Sequence, residues 1–391
     1  MKEDSKRFYF ENLDGLRFIC FLMVFLYHSF HTDFDFIKAE PLYKFVDKGL
    51  FGNGNLGVNF FFVLSGFLIT YLLIKEKKET GKIHIAHFWM RRILRIWPLY
   101  FFCVFFGFVV FAWLKQALGQ PVNETAHLWN YLTFTSNFDL LYNGSPDASV
   151  LSVLWSVAIE EQFYFVWPIF LYLFSVKNYW IPFAGIIALS LIFRMLNDNN
   201  AMHELHTFSC IGDMAVGALG AWLSSEFEKF RSYIQKLNKL QLWGIYCFFA
   251  LVFFFRAELF YGLYPLRIIE RLIIALILLM IILEQCFCQN SLFKLAQFKT
   301  ISKLGIVTYG LYCLHFIGIL IAIQATKMLS INNQLWQVLL LESSLALVIT
   351  ILISKFSYRY YESPFLKLKN KFAFIKSNSP TTCSKLSLIP F

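Results

Sequence analysis

The 391-residue chain is 58% hydrophobic and only 15% charged, with a mean hydropathy of +0.57. A soluble protein of this length has too little interior to bury so many apolar side chains, so the composition excludes that class. The net charge of +10 could suggest a nucleic-acid partner. The Lys and Arg residues, however, fall in loops between apolar segments, which is a topology signal and argues against nucleic acid.

Ten apolar segments are candidate membrane spans. They cover approximately residues 13–31, 57–74, 97–114, 152–174, 180–195, 209–224, 241–256, 266–285, 304–324 and 335–354. With the N-terminus in the cytoplasm, 25 of the 35 Lys and Arg residues fall in cytoplasmic segments and nine fall outside. This asymmetry predicts an all-α integral membrane protein, a bundle of about ten transmembrane helices with both termini cytoplasmic. We assign residues 8–375 to a single membrane domain and 376–391 to a flexible cytoplasmic tail.

The first span contains the stretch of residues 14–31, which combines an apolar sequence with Arg17 and His28. Eleven residues make about three helical turns, so both side chains lie on one stripe, roughly 16 Å apart along the axis. A cation that faces lipid is costly, which predicts that both residues face a shared polar path inside the bundle. The alternative is that Arg17 extends its charge to the membrane interface and His28 is a packing residue.

Two further spans carry polar stripes. In the fourth span Ser156, Glu160 and Tyr164 are spaced by four residues and therefore share a helical face. A carboxylate at this depth needs a partner or a proton, and a structural ion pair is the alternative to a functional role. In the ninth span Tyr309, Tyr312 and His315, spaced by three residues, form a second stripe. Taken singly, each could also be an interfacial aromatic or a core histidine.

The densest basic segment joins the second and third spans. For the lysines of residues 75–82 we favour contact with anionic lipid. Arg92 and Arg95 are three residues apart, next to the membrane core, and phosphate binding is a competing interpretation because a guanidinium grips phosphate through two hydrogen bonds.

The cysteines and histidines do not predict a metal site. Cys286 and Cys288 form a C-x-C pair, which lacks the spacing of a zinc ligand set. Three histidine pairs with i, i+3 spacing have no carboxylate-backed cluster beside them. We therefore expect no metal.

In their order, these segments resemble the acyltransferase-3 family of integral membrane acyltransferases. The family's Arg/Lys-x10-His hallmark is matched by Arg17 and His28, and its R-x-x-R by Arg92 and Arg95. Further motifs over residues 8–366 are GVNFFFVLSGFLI, LWSVAIEEQFYFVWP, CIGDMAVGALGAWL, LGIVTYGLYCLHF and YRYYESPF. From these segments we expect no extracytoplasmic hydrolase-like domain of the kind that some members append. This expectation leaves open the acceptor and whether an envelope partner protein completes the transfer.

The resemblance implies an O-acetyltransferase in the inner (plasma) membrane. Such an enzyme moves an acetyl group from acetyl-CoA to a hydroxyl of a cell-surface or lipid-linked carbohydrate. Arg92 and Arg95 are then candidates for binding the CoA phosphates, and His28 for the general base. Glu160 would orient His28 or stabilise its charged form, and Arg17 would polarise the thioester carbonyl or position the donor.

Substrate contacts are assigned to Ser156, Tyr164, Tyr312 and His315. Direct transfer and a covalent enzyme intermediate both stay open, with Ser65, Ser156 and Cys20 as the available nucleophiles.

Two other functions fit the same residues. Buried charges in a helical bundle also suit a transporter or flippase of a lipid-linked sugar. An unrelated membrane O-acyltransferase using fatty acyl-CoA would be expected to have its catalytic histidine late in the chain, where His315 is the candidate.

Overall fold

The computed structural model describes residues 9–372, and within this range the regular secondary structure is helical, without strands. Helices of 18 residues or more coincide with the ten predicted apolar segments. They are α1 (Asn12–Ser29), α2 (Leu56–Thr80), α3 (Ile85–Ala117), α4 (Leu154–Leu173), α5 (Val176–Leu196), α6 (Thr207–Glu226), α7 (Lys239–Phe260), α8 (Tyr264–Phe287), α9 (Thr308–Met328) and α10 (Gln337–Lys369).

Six of these helices are long and apolar enough to be candidate membrane spans: α2, α3, α5, α7, α9 and α10. The other four, α1, α4, α6 and α8, are of similar length but contain charged side chains, such as Arg17 in α1 and Asp213 in α6. The molecule is thus an all-helical, multi-pass membrane protein. The count of about ten spans and the cytoplasmic location of both termini stay predictions.

Shorter helices lie in the connections. They are Asp35–Ala39, Pro41–Lys44, Phe45–Leu50, Leu128–Leu132, Ser136–Asn143, Ser149–Ser152, Asn200–Leu205, Glu228–Gln235, Leu295–Gln297, Lys299–Ile306 and Asn370–Phe372. The predicted tail, 376–391, and the ends of the predicted domain, 8–375, lie outside the described residues. We call the face where α1 begins and α10 ends the terminal face, and the opposite one the distal face.

Helices α2 and α6 cross at two glycines. A Cβ atom on Gly66 would lie 2.0 Å from the carbonyl oxygen of Met214, and one on Gly217 would lie 2.0 Å from that of Val63. Neither position has room for a side chain, so the two backbones touch directly, as at small-residue crossings in membrane helices. This contact fixes α2, which carries Ser65, against the centre of the bundle.

Part of the basic segment, in the last turn of α2, binds other residues of the protein. The Lys77 ammonium donates to the carbonyl oxygens of Leu171 (2.7 Å) and Phe174 (2.6 Å), which would otherwise be unpaired at the C-terminal end of α4. Lys78 forms an ion pair with Glu226 at 2.6 Å. The preferred assignment of this patch to anionic lipid is therefore wrong for these two lysines, which join α2 to α4 and α6.

A buried ion network joins the distal ends of several helices. Arg271 of α8 binds Asp213 of α6, with both Nε and Nη2 within 3.0 Å of Oδ2. Arg256 of α7 pairs with Glu270 and, at 2.7 Å, with Glu204. Arg194 of α5 approaches Glu270 at 3.4 Å and donates to the Ser209 hydroxyl at 3.0 Å. Three arginines thus meet three carboxylates, and each arginine has an acidic partner. We refer to this group as the distal network.

Candidate active site

A cavity of about 290 Å³ lies in the half of the bundle nearer the terminal face, between α1, α2, α3, α4, α9 and α10. Seven of the nine predicted site residues line it: Arg17, Arg92, Arg95, Ser156, Glu160, Tyr164 and Tyr312. The sequence places these residues on four different helices, and the fold brings them to one space. His28 and His315 are not among the lining residues.

Arg92 and Arg95 lie one turn apart on α3 and face the cavity. Within residues 9–372 neither has a carboxylate within ion-pair distance. The Arg92 guanidinium lies 5.5 Å from the ring centre of Phe88 and 5.6 Å from that of Tyr164, and its buried Nε atom has no hydrogen-bond partner in the described chain. Aromatic rings hold a guanidinium without neutralising its charge. The two arginines therefore present positive charge and free N–H donors to the cavity.

Arg17 differs from these arginines because it has an acidic partner. Its Nη1 atom lies 2.5 Å from Oδ1 of Asp14, one turn earlier on α1. The Arg17 side chain is 24% exposed and that of Asp14 is 7% exposed, so the pair is part of the cavity wall. Local pairing in α1 therefore satisfies the intramembrane cation predicted from the sequence.

Glu160 is hydrogen-bonded within the cavity. The Ser65 hydroxyl donates to Oε1 at 3.0 Å, and the Tyr164 hydroxyl donates to Oε2 at 2.8 Å. The expected contact of Glu160 with His28 is absent in the described structure, because both carboxylate oxygens are bonded on the cavity wall instead. The four-residue spacing of Glu160 and Tyr164 on α4 does produce the predicted shared face.

Ser156 and Tyr312 pair across the cavity, with 2.7 Å between their hydroxyl oxygens. The Tyr312 ring lies 5.8 Å from that of Phe61, which also lines the cavity, and 6.0 Å from that of His315. Tyr312 is thus the wall residue that leads toward the two histidines.

His28 and His315 face each other with their ring centres 5.5 Å apart, and Phe316 lies 4.8 Å from His28. His315 is completely buried, and its Nδ1 lies 2.6 Å from the carbonyl oxygen of Tyr312. A carbonyl can only accept, so Nδ1 carries the proton and Nε2 of the neutral ring is an acceptor. That Nε2 atom has no partner among the described residues.

The expectation that Arg17 and His28 line one continuous path needs correction. Arg17 lines the cavity, whereas the contacts that lead to His28 pass through Tyr312 and His315. A second cavity, of about 130 Å³, is lined by His31 and Phe316 on the other side of this pair. The histidines thus lie between two spaces, separated from the larger one by aromatic side chains in this conformation.

Three charged cavity residues were not assigned to the site from the sequence: Asp14, Glu362 and Lys369. The signal for Asp14 was its i, i+3 spacing to Arg17. Glu362 stands in the YRYYESPF motif, which was used for family resemblance and not for chemistry. Lys369 follows the last apolar segment and looked like one more cytoplasmic charge. Residues 9–372 contain no group of three His, Cys, Asp or Glu side chains suited to a metal ion.

Comparison with known proteins agrees with the order of the motifs. The chain is 26% identical to the peptidoglycan O-acetyltransferase OatA of Listeria monocytogenes, over 96% of this chain and 60% of that protein. Identity is also 26% to the putative peptidoglycan O-acetyltransferase YrhL of Bacillus subtilis (91% and 55% covered) and to the O-acetyltransferase OatA of Staphylococcus aureus (94% and 59% covered). The chain thus spans less than two thirds of the length of these relatives.

No solved structure matches the chain. A family model described as an acyltransferase domain matches residues 10–358, which include the cavity-lining residues apart from Tyr9, Glu362, Leu366 and Lys369. The chain belongs to the acyltransferase-3 family.

Proposed function

We propose that the protein is a membrane O-acetyltransferase that transfers an acetyl group from acetyl-CoA to a hydroxyl of a cell-wall carbohydrate. The names of its relatives support a peptidoglycan-type acceptor. In this proposal all ten long helices cross the plasma membrane, and the terminal face, with both chain ends, is cytoplasmic. The excess of Lys and Arg in the segments on that side supports this orientation.

The observation that carries the proposal is the pair of cavity arginines without an acidic partner. CoA is a cytoplasmic polyanion, and the cavity lies in the half of the bundle that would face the cytoplasm. Arg92 and Arg95 can each give charge-assisted hydrogen bonds to its phosphates. The pantetheine arm would then extend along the cavity past Glu160 toward Tyr312.

The histidine pair supplies the chemistry for the second half of the reaction. His28 removes the proton of the acceptor hydroxyl, whose oxygen attacks the acetyl carbonyl carbon. The carbon–sulfur bond breaks, and the CoA thiolate takes the proton from His28. The Nε2 of His315, which has no partner among the described residues, would accept a hydrogen bond from a substrate hydroxyl. Movement of the Tyr312 side chain would be needed to bring the thioester to His28.

The remaining residues take positioning roles. Arg17, already paired with Asp14, lies roughly 16 Å along α1 from His28. This separation favours a role in positioning the donor over polarising the carbonyl. Glu160 orients the Tyr164 and Ser65 hydroxyls on the cavity wall, and Ser156 holds Tyr312.

The test uses the purified protein in lipid nanodiscs with acetyl-CoA and peptidoglycan fragments, read by mass spectrometry for an added acetyl ester. His28→Ala should abolish transfer while the thermal unfolding midpoint of the protein stays unchanged. Arg92→Ala combined with Arg95→Ala should instead raise the acetyl-CoA concentration required for half-maximal rate. If both variants acetylate as the wild type does, the site assignment is wrong.

The same preparation separates this function from the two alternatives. A transporter or flippase would move the lipid-linked sugar across proteoliposomes without forming an ester. A fatty-acyl transferase with His315 as its base would prefer long-chain acyl-CoA and would lose activity in His315→Ala more than in His28→Ala.

A further inference from the structure

Lys369, the last residue of α10, lines the cavity together with Arg17, Arg92 and Arg95 and is its fourth cation. The face of α10 that lines the cavity carries Tyr358, Glu362, Leu366 and Lys369, at spacings of three or four residues. Because this is the period of a helix, Lys369 belongs to a continuous stripe directed into the cavity. The family model matches only as far as residue 358, so Lys369 lies outside the segment that defines the family match.

The charges around Lys369 are repulsive. Arg95, Arg92, Arg91 and Arg17 each act unfavourably on its ammonium group. Arg91 is paired with a glutamate at 3.0 Å and Arg17 with Asp14 at 2.5 Å. Lys369, Arg92 and Arg95 have no carboxylate within ion-pair distance in the described part of the chain.

The other two carboxylates of the cavity are bonded by hydroxyl groups. Glu160 accepts from Ser65 and Tyr164, and Glu362 accepts from Ser357 at 2.9 Å. They moderate the positive potential but do not pair with the three cations. Like charges held close together destabilise the empty cavity, and a bound polyanion would remove that cost.

We propose that Lys369 binds the 3′-phosphate of the acetyl-CoA donor while Arg92 and Arg95 bind its diphosphate. This inference rests on the proposed function. Three phosphate groups match three cations without acidic partners.

The order along the cavity agrees with this pairing. Lys369 ends α10 at the terminal face, whereas Arg92 and Arg95 lie about 10 and 15 Å along α3 from its first residue. In CoA the 3′-phosphate is farther from the thioester than the diphosphate is. The phosphate nearest the cytoplasm therefore meets the cation nearest the cytoplasm.

A phospholipid headgroup offers the same phosphate chemistry to a lysine at this face. The experiment therefore measures the dissociation constants of acetyl-CoA and of acetyl-dephospho-CoA, which lacks the 3′-phosphate. Both are measured in nanodiscs of neutral phosphatidylcholine and of anionic phosphatidylglycerol. The variants are Lys369→Ala, Lys369→Arg and the matched control Lys367→Ala, which removes an exposed charge from the same helix but not from the cavity.

We expect Lys369→Ala to weaken acetyl-CoA binding about tenfold, as for one charge-assisted hydrogen bond, in both lipids. Binding of acetyl-dephospho-CoA should be the same in Lys369→Ala and in wild type. Lys369→Arg should restore most of the affinity, and Lys367→Ala should leave it unchanged.

An equal loss for both donors, or no loss for either, would overturn the inference. A loss confined to one lipid would also overturn it, in favour of a headgroup contact. Because binding is read directly, a wild type that binds acetyl-CoA but forms no ester would contradict the proposed function and leave this inference standing. A wild type that acetylates, with the Lys369→Ala affinity unchanged, would do the reverse.

Discussion

The cavity and the distal network each contain three arginines within the helical bundle. The two groups differ in how many of their arginines have a carboxylate partner. In the distal network Arg194, Arg256 and Arg271 each have a carboxylate partner. In the cavity only Arg17 has one. Burying a charge is costly unless it is paired, so the paired arginines need nothing further, whereas Arg92 and Arg95 suit a ligand that brings its own negative charge. The comparison separates charges that hold helices together from charges that bind a substrate.

Removing one member of the distal network should give the largest effect on stability. Arg271→Ala leaves Asp213, which is 1% exposed, as an unpaired buried carboxylate. Such losses cost about 3–5 kcal/mol, so we expect a greatly lowered unfolding midpoint and poor accumulation. Arg92→Ala is the matched control, because removing an arginine without an acidic partner should leave the midpoint equal or higher. Thermal unfolding in detergent or nanodiscs measures both.

A double variant checks the cause. Asp213→Leu with Arg271→Met removes both charges and keeps apolar volume, so it should be more stable than Arg271→Ala alone. It should stay below wild type because Asn59, which donates to Asp213 at 3.0 Å, loses its acceptor. A double variant less stable than Arg271→Ala would show that the distal network is not simply a structural pairing of charges.

Glu160→Gln tests whether the Glu160 carboxylate only positions the hydroxyl groups of Ser65 and Tyr164 or also orients the catalytic histidine. The amide keeps an oxygen for a hydroxyl donor, so a residue that only positions Ser65 and Tyr164 should cost less than about tenfold in kcat. A partner that orients the catalytic histidine would cost about 10⁴-fold on such a substitution. Steady-state rates at saturating acetyl-CoA distinguish the two, and a loss above a thousandfold would mean that Glu160 reaches His28 during the reaction.

The loop between α3 and α4, at the distal face, contains a third group of charged residues. We expect changes there to have smaller effects on stability. Burial raises the pKa of Asp139, but hydrogen bonds from the His127 backbone and from the side chains of Asn130, His127 and Asn143 outweigh it and hold the pKa below its usual value. Burial likewise raises the pKa of Asp147, and hydrogen bonds from Lys115 and from the Asn123 backbone lower it further than burial raises it.

A carboxyl group with a lowered pKa contributes stability that is present above its unfolded pKa of about 3.9 and is lost as the pH falls through the folded value. Resistance of residues 118–153 to proteolysis should therefore be constant from about pH 8 to pH 5 and should fall only in more acidic solution. Asp139→Asn should weaken the protection at neutral pH and flatten its acid dependence. Loosening of the wild-type loop already near pH 6 would contradict this account.

The sequence predicted the helices and seven residues of the cavity wall, because apolar length and helical period are local properties. Arg92 and Arg95 on α3, three residues apart, and Glu160 and Tyr164 on α4, four residues apart, share faces that the helical period alone predicts. The sequence could not predict pairing between helices. Glu160 meets Ser65 of α2 and not His28, because the crossing of the helices, and not their periodicity, sets such contacts.

Counting Lys and Arg residues to predict the topology had a similar limit. The distal arginines, among them Arg271, were counted only as positive residues outside, since their carboxylate partners come from other helices. Lys369 was counted only as a cytoplasmic positive charge. Other lysines lie close to it in the sequence, and the sequence does not show which of them faces the cavity. Tertiary structure is what separates these cases.

The most direct test of the central claim is the change in unfolding midpoint that acetyl-CoA produces in wild type and in the Arg92→Ala/Arg95→Ala variant. A ligand that binds the folded state at about 100 times its Kd stabilises it by about 2.7 kcal/mol. We predict a clear rise in the midpoint of the wild type, and in the variant an unchanged or higher midpoint without donor and no rise with it. An equal rise in both proteins would contradict the assignment of these arginines to the donor.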